Sequence, residues 1–110
     1  MQAQEIISAV LKTDPTAGEE MIWDALQQIE ERVRGVLKKG SADVRRENYT
    51  MALPKEFKKV YTEYIMREMA LWRDDWDCYN SHNAVFTNEF LRAVTVKRES
   101  KIKNEWRKWR

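Results

Sequence analysis

The residues able to do chemistry in this chain are few and scattered. His82 is the single histidine, and it lies in the polar stretch Asn80-Ser81-His82-Asn83. A general base needs a carboxylate or nucleophile fixed beside it, and the sequence fixes none, so a surface loop residue is expected there. Asp74, Asp75 and Asp77 surround Trp76, but helical spacing spreads them around an axis instead of converging them on a cation. They read as a solvated or partner-facing acidic patch. Cys78 is the only cysteine and reads as a small, buried or half-buried residue. Serine-nucleophile, glycine-rich phosphate-loop and HExxH motifs are absent. The sequence therefore predicts no enzyme, cofactor or metal centre.

The most informative chemistry is at the C-terminal end. Lys101, Ile102, Lys103, Trp106, Arg107, Lys108, Trp109 and Arg110 form a short cationic segment carrying two indoles. Trp and Arg are preferred anchors of protein interfaces. The same residue types bind nucleic-acid backbone and stack on bases. A basic amphipathic end also suits an anionic membrane, although Glu105 interrupts the short apolar face. The bland alternative is that both tryptophans close the chain's own core.

Four helical segments are predicted to position these groups. Ile6, Ile7, Val10 and Leu11 form one face of a helix over 3–12, ended by Asp14-Pro15. Thr16 and Glu19 read as a capping box that opens a second helix. Its stripe runs Met21, Ile22, Leu26, Ile29, Val33 and Leu37, with Gly40 as the stop. Residues 40–53 read as a long connection, mobile in the isolated protein, with a short extended piece around Val44, Tyr49, Met51 and Leu53. Its Arg45 and Arg46 are expected to be available to an acidic neighbour or to DNA. Pro54 opens a third helix, whose stripe from Phe57 through Tyr61, Tyr64, Ile65, Met69, Trp72 and Trp76 reaches Tyr79. Asn80 to Asn83 is predicted to break it. A fourth segment follows with Phe86 and Phe90, and its pattern weakens after Val96. The expectation is an all-α bundle of about four helices over 1–96, with Met21, Ile22, Leu26, Ile29, Val33, Phe57, Tyr61, Tyr64, Ile65 and Phe90 in its core. Residues 97–110 are then a basic aromatic tail, helical in pattern but too polar to fold alone.

The chain has 110 residues, the size of one domain, and a formal net charge of +2. That balance hides segregation: residues 1–31 carry −6, residues 32–60 carry +6, residues 61–90 carry −4 and residues 91–110 carry +6. Such blocks suit contacts between opposite faces, within one molecule or between neighbours. No stretch is apolar enough to span a membrane, no secretion signal is read at the start, and one cysteine fits a reducing compartment.

Ala52-Leu53-Pro54-Lys55-Glu56-Phe57, opening a helix that runs through Tyr64, Arg67 and Trp72, resembles the central helix of head–tail connector proteins of tailed bacteriophages. These are also called adaptor or head-completion proteins. Asn83-Ala84-Val85-Phe86-Thr87-Asn88-Glu89-Phe90-Leu91 resembles the segment that follows that helix, with Asn80 to Asn83 standing where the family has a glycine-rich turn. The resemblance covers most of the chain at the level of pattern. It implies a non-catalytic subunit of a ring, commonly of twelve copies, beneath the portal at the head–tail interface of the virion. Such a subunit is assembled in the host cytoplasm. The ring extends the DNA channel, touches passing DNA non-specifically and receives the next tail or stopper component. The C-terminal segment would dock on the portal protein, with Trp106 and Trp109 as anchors. The competing expectation is a small helical regulatory protein that binds nucleic acid or a host protein.

Overall fold

The computed structural model describes the backbone of residues 1–108 and the side chains of residues 1–99. The chain is all-α: four helices and one short 3-10 turn, with no strand among the described residues. Helix α1 spans Ala3–Thr13, α2 Glu19–Val36, α3 Lys58–Trp72 and α4 Trp76–Lys108, and the 3-10 turn Lys55–Phe57 leads into α3. The apolar stripes of α1 and α2 face the core as their spacing predicts. Ile6, Ile7, Val10, Ile22, Leu26, Ile29 and Val33 are buried, as are Phe57, Tyr61, Tyr64 and Ile65. Met21 is half-buried, and Phe90 packs against the core from its edge while Phe86 is buried.

Helix α2 starts differently from the expected capping box. Gly18 is its N-cap with no side-chain bond, and the Thr16 hydroxyl instead donates to Asp14 at 2.7 Å. The helix ends at Val36, four residues before the expected stop at Gly40, in a Schellman closure. Lys38 takes the left-handed position (φ 57°), its N–H bonds the Gly35 carbonyl and the Lys39 N–H bonds the Arg34 carbonyl.

Residues 37–53 are not a loose connection. They run back along α2 and return, forming a strap whose Val44, Tyr49, Met51 and Leu53 are buried. The expected mobility is corrected by this packing and by a polar stripe on α2 that holds the strap. Gln27 donates to the Ala42 carbonyl at 2.8 Å and accepts from the Val44 N–H at 3.0 Å, so one side-chain amide pairs with the strap as a strand would. Arg34 donates to the Gly40 carbonyl and, at 3.3 Å, to the Tyr49 hydroxyl. The centre of the stripe is Glu30, which is fully buried. Its Oε2 accepts from the Tyr49 hydroxyl at 2.6 Å and from the Ala52 N–H at 2.9 Å. Its Oε1 accepts from the Tyr61 hydroxyl at 2.8 Å, and that hydroxyl accepts from the Leu53 N–H at 3.1 Å. The expected extended piece is an isolated antiparallel bridge between Gln2 and Thr50, which ties the strap to the start of α1.

The break between the last two helices is misplaced in the sequence reading. It lies at Arg73–Asp75, and α4 runs unbroken through Asn80 to Asn83. Asp74 takes the left-handed position (φ 55°), and the Asp74 and Asp75 N–H groups bond the Leu71 and Ala70 carbonyls in a second Schellman closure. Asp75 at once caps α4, accepting from the Cys78 N–H at 3.1 Å. Neither closure uses glycine, which is why the stop signals were not visible.

Helices α3 and α4 pack antiparallel. Arg67 donates to Asn83 at 2.9 Å, Tyr64 meets Phe86 edge-on at 5.3 Å, and the Arg92 guanidinium lies 4.9 Å over Phe57. Arg67 is sandwiched: it pairs with Glu68 at 2.8 Å and lies over Tyr64, Tyr79 and Phe86. Each step back along α3 is thus a step forward along α4, so Arg92 of α4 is already level with Phe57, just before α3. A helix of 33 residues is about 50 Å long, close to the molecule's 54 Å long axis. The radius of gyration, 15.1 Å, exceeds the roughly 13 Å of a compact chain this size.

Replacing Glu30 with Ala leaves two buried hydroxyls and one N–H without their acceptor. A loss of about 3 kcal/mol or more is expected by urea denaturation, larger than for any exposed glutamate. A second expectation concerns alkaline pH. Burial, then the Glu30 carboxylate, pushes the Tyr49 hydroxyl up to about 12, and the same causes push Tyr61 up further. The folded state therefore holds protons that the unfolded chain has released. Stability should hold below pH 10 and fall as pH rises from there through about 12. Following the denaturation midpoint against pH for the wild type and Tyr49→Phe checks this, the variant showing the shallower decline.

Candidate assembly surfaces

Two surfaces stand at opposite ends of the bundle. The first is the α3–α4 corner, where residues 71–78 are exposed without interruption. Trp72 is 72% and Trp76 57% exposed, and Leu71 is exposed beside them. The sequence reading placed both tryptophans in a core-facing stripe. The turn at Arg73–Asp75 restarts the helical phase before Trp76, whereas Trp72, the last residue of α3, stands exposed at the end of that helix. Trp76 stacks edge-on against Tyr79 at 5.8 Å, which fixes its ring without covering it.

Charge at this corner is acidic and partly engaged. Asp14 pairs with Arg73, and the hydrogen bond with that guanidinium holds its carboxyl below the usual range. The Asp75 carboxyl is lowered by its bonds to Cys78, side chain and backbone. Asp74 and Asp77 make no ion pair among the described residues. Because α2 and α3 are antiparallel, with Gln28 against Tyr64 and Glu30 against Tyr61, the start of α2 with Glu19, Glu20 and Asp24 lies at the same end.

Arg45 does not stand as a free cation, whereas Arg46 is exposed and makes no ion pair among the described residues. Arg45 bonds Glu20 and Asp24, each at 3.0 Å, so its charge is spent within the molecule. The Arg46 guanidinium lies 5.9 Å from the centre of the Tyr49 ring. The second surface is α4 past Arg92, which lies level with Phe57. The helix crosses the expected domain boundary at 96/97 without a break and continues to Lys108. The side chains of Lys101, Ile102, Lys103, Trp106, Arg107 and Lys108, and Trp109 and Arg110 altogether, lie outside the described residues. By sequence, residues 97–108 carry six cations and two acids.

The structure also tests the residues weighed for catalysis. His82 is a helix residue, not a loop residue, and its Nδ1 lies 2.6 Å from Glu63 on α3. A carboxylate does stand beside it, which the sequence did not reveal because the pair is 19 residues apart. Cys78 is exposed, not buried, and sits one turn before His82 at the edge of a cleft of about 310 Å³. No hydrogen bond joins the thiol to His82 among the described residues. Asp75 pushes the thiol up, the opposite of what a nucleophilic cysteine requires. The His82–Glu63 pair therefore acts as a pin between α3 and α4. No cluster of three or more metal-binding side chains occurs among the described residues. No helix described is long and apolar enough to cross a membrane.

The fold and surfaces define a small helical chain with an aromatic, acidic corner at one end and a long basic helix leaving the other. Comparison with protein-family models, curated proteins and solved structures gives no match, so these surfaces alone carry the functional reading.

Asp75→Ala removes the cap of α4 and should cost about 1 kcal/mol, whereas Asp75→Ser should recover most of it. Paired thermal melts of the two variants check this.

Proposed function

We propose that this chain is a structural subunit of the head–tail connector type, which forms a ring under a phage portal and extends its DNA channel. The observation that carries the reading is the overrun of α4. Helix α4 is more than twice the length of α3, the helix it packs against, and by sequence its end is a cationic stretch containing Ile102 and Trp106. Such a segment gains little from its own domain and more from a partner's groove. Tryptophan is enriched among interface hot spots, whose truncation costs about 2 kcal/mol or more. The bundle itself offers a rigid body from which the arm projects, because the strap, the Arg67 sandwich and the His82–Glu63 pin fix the helices to one another.

In this reading the partners are the portal protein, through the α4 arm, neighbouring copies in the ring, and the next tail or stopper component. DNA in the channel is touched without sequence preference, and the work is done in the virion without catalysis or cofactor. The expected outcome is that the purified chain joins a candidate portal ring in native mass spectrometry. The Trp106→Ala/Trp109→Ala variant should melt as the wild type does and fail to join. Tail-dependent binding to DNA that falls steeply with salt, without portal association, would instead favour the nucleic-acid reading. Unfolding of the double variant would return the arm to the core.

A further inference from the structure

Two ends of the bundle are opposite in charge and both carry exposed apolar side chains. At the α3–α4 corner stand Leu71, Trp72 and Trp76 with Asp74 and Asp77, and the start of α2 adds Glu19. A groove of about 130 Å³ opens beside Trp72, floored by Met21, Ala25 and Met69. The other end collects the close of α2 and the start of α3, because those helices are antiparallel. Lys38, Lys39, Lys55 and Lys59 are exposed there, and none makes an ion pair among the described residues. Helix α4 passes the same end, since Arg92 sits over Phe57, and brings Leu91 (59% exposed) and Val96 (39% exposed).

We infer that the aromatic, acidic corner of one copy docks on the lysine-rich end of a second copy, giving a head-to-tail contact between identical subunits. The inference rests on the reading of the chain as an assembly subunit, and it names the partner and the residues of the contact. Charge selects the geometry. A two-fold contact of corner on corner would set Asp74 and Asp77 against their own copies, and lysine end on lysine end would do the same with cations. The heterologous pairing brings Asp74, Asp77 and Glu19 to Lys38, Lys39, Lys55 and Lys59, with Glu56 the one exposed carboxylate among those lysines. It also places lysines over exposed indoles, where the ring face attracts a cation, and covers Leu71 with Leu91 or Val96. A heterologous contact closes into a ring if its rotation allows and otherwise grows as a filament. It uses the bundle ends alone and leaves the α4 arm to the portal.

The test is a complementation measured by sedimentation velocity on the full chain. Trp72→Ser/Trp76→Ser disables the corner, and Lys55→Glu/Lys59→Glu disables the lysine end. All four positions are exposed except Trp76's edge contact with Tyr79, so melting curves should match the wild type; Asp77→Lys serves as the corner variant if the double serine variant melts early. The wild type should associate with concentration, and more weakly at high salt. Each variant alone should associate at least about thirtyfold more weakly, the loss that a hot-spot residue carries. An equimolar mixture should form a dimer, because each variant retains the end that the other lacks. A wild type that stays monomeric near 1 mM at low salt overturns the inference. So does either variant that associates undiminished, or a mixture that stays monomeric. Loss of this contact with portal binding intact removes the inference alone. Association of the ends without portal binding removes the connector reading alone.

Discussion

The molecule depends on one buried carboxylate. Glu30 is placed in the core by the same helical spacing that buries Leu26, Ile29 and Val33, and burying a charged group without partners is prohibitively costly. The chain meets that constraint with three donors from two different segments: Tyr49 and Ala52 from the strap, and Tyr61 from α3. The strap is therefore not an accessory laid on a finished bundle. Its backbone and one of its side chains complete the coordination that makes α2 and α3 compatible. Tyr61 extends the arrangement by accepting from Leu53, so both the incoming and the outgoing strands of polar contact end on the same pair of oxygens.

From that constraint the distribution of surface follows. The polar row of α2, from Glu20 and Asp24 through Gln27 and Glu30 to Arg34, is consumed by the strap. The α1 side is closed by the Gln2–Thr50 bridge, and one face of α3 by α4. Residues with no such internal role are left at the two ends, and there the charge blocks of the sequence become geometry. Acidic block 1–31 and acidic block 61–90 meet at the corner because α2 begins where α3 ends. Lys38, Lys39, Lys55 and Lys59 gather at the opposite end because α2 ends where α3 begins, and Arg92 of α4 passes there over Phe57.

The helices were legible in the sequence wherever an apolar stripe faced the core: α1, α2 and the buried half of α3 follow directly from their spacing. What was hidden is instructive in each case. The strap looked mobile because its anchors, Gln27, Glu30 and Arg34, read as a solvated helix face, and a side chain that binds backbone leaves no apolar signature. The end of α3 was overrun because Trp72 and Trp76 keep a helical interval across a turn that uses Asp74, not glycine, in the left-handed position. Asn80 to Asn83 looked like a break, yet Asn83 is held by Arg67 and His82 by Glu63, tertiary contacts that override weak helical preference. Of the candidate site, the basic character of the C-terminal helix was readable, whereas the outward-facing tryptophans and the internal engagement of Arg45 required the fold.

The central claim is that residues 37–53 are structural core anchored on Glu30. Native-state amide hydrogen exchange at single-residue resolution tests it most directly. The N–H groups of Val44, Met51, Ala52 and Leu53 each have a partner within the bundle, respectively Gln27, Met1, Glu30 and Tyr61. The account predicts that these amides exchange only with global unfolding, as slowly as those of Leu26 and Ile29, and that Glu30→Ala releases them ahead of α2. Fast exchange of the four amides in the wild type, while Leu26 and Ile29 stay protected, would contradict it.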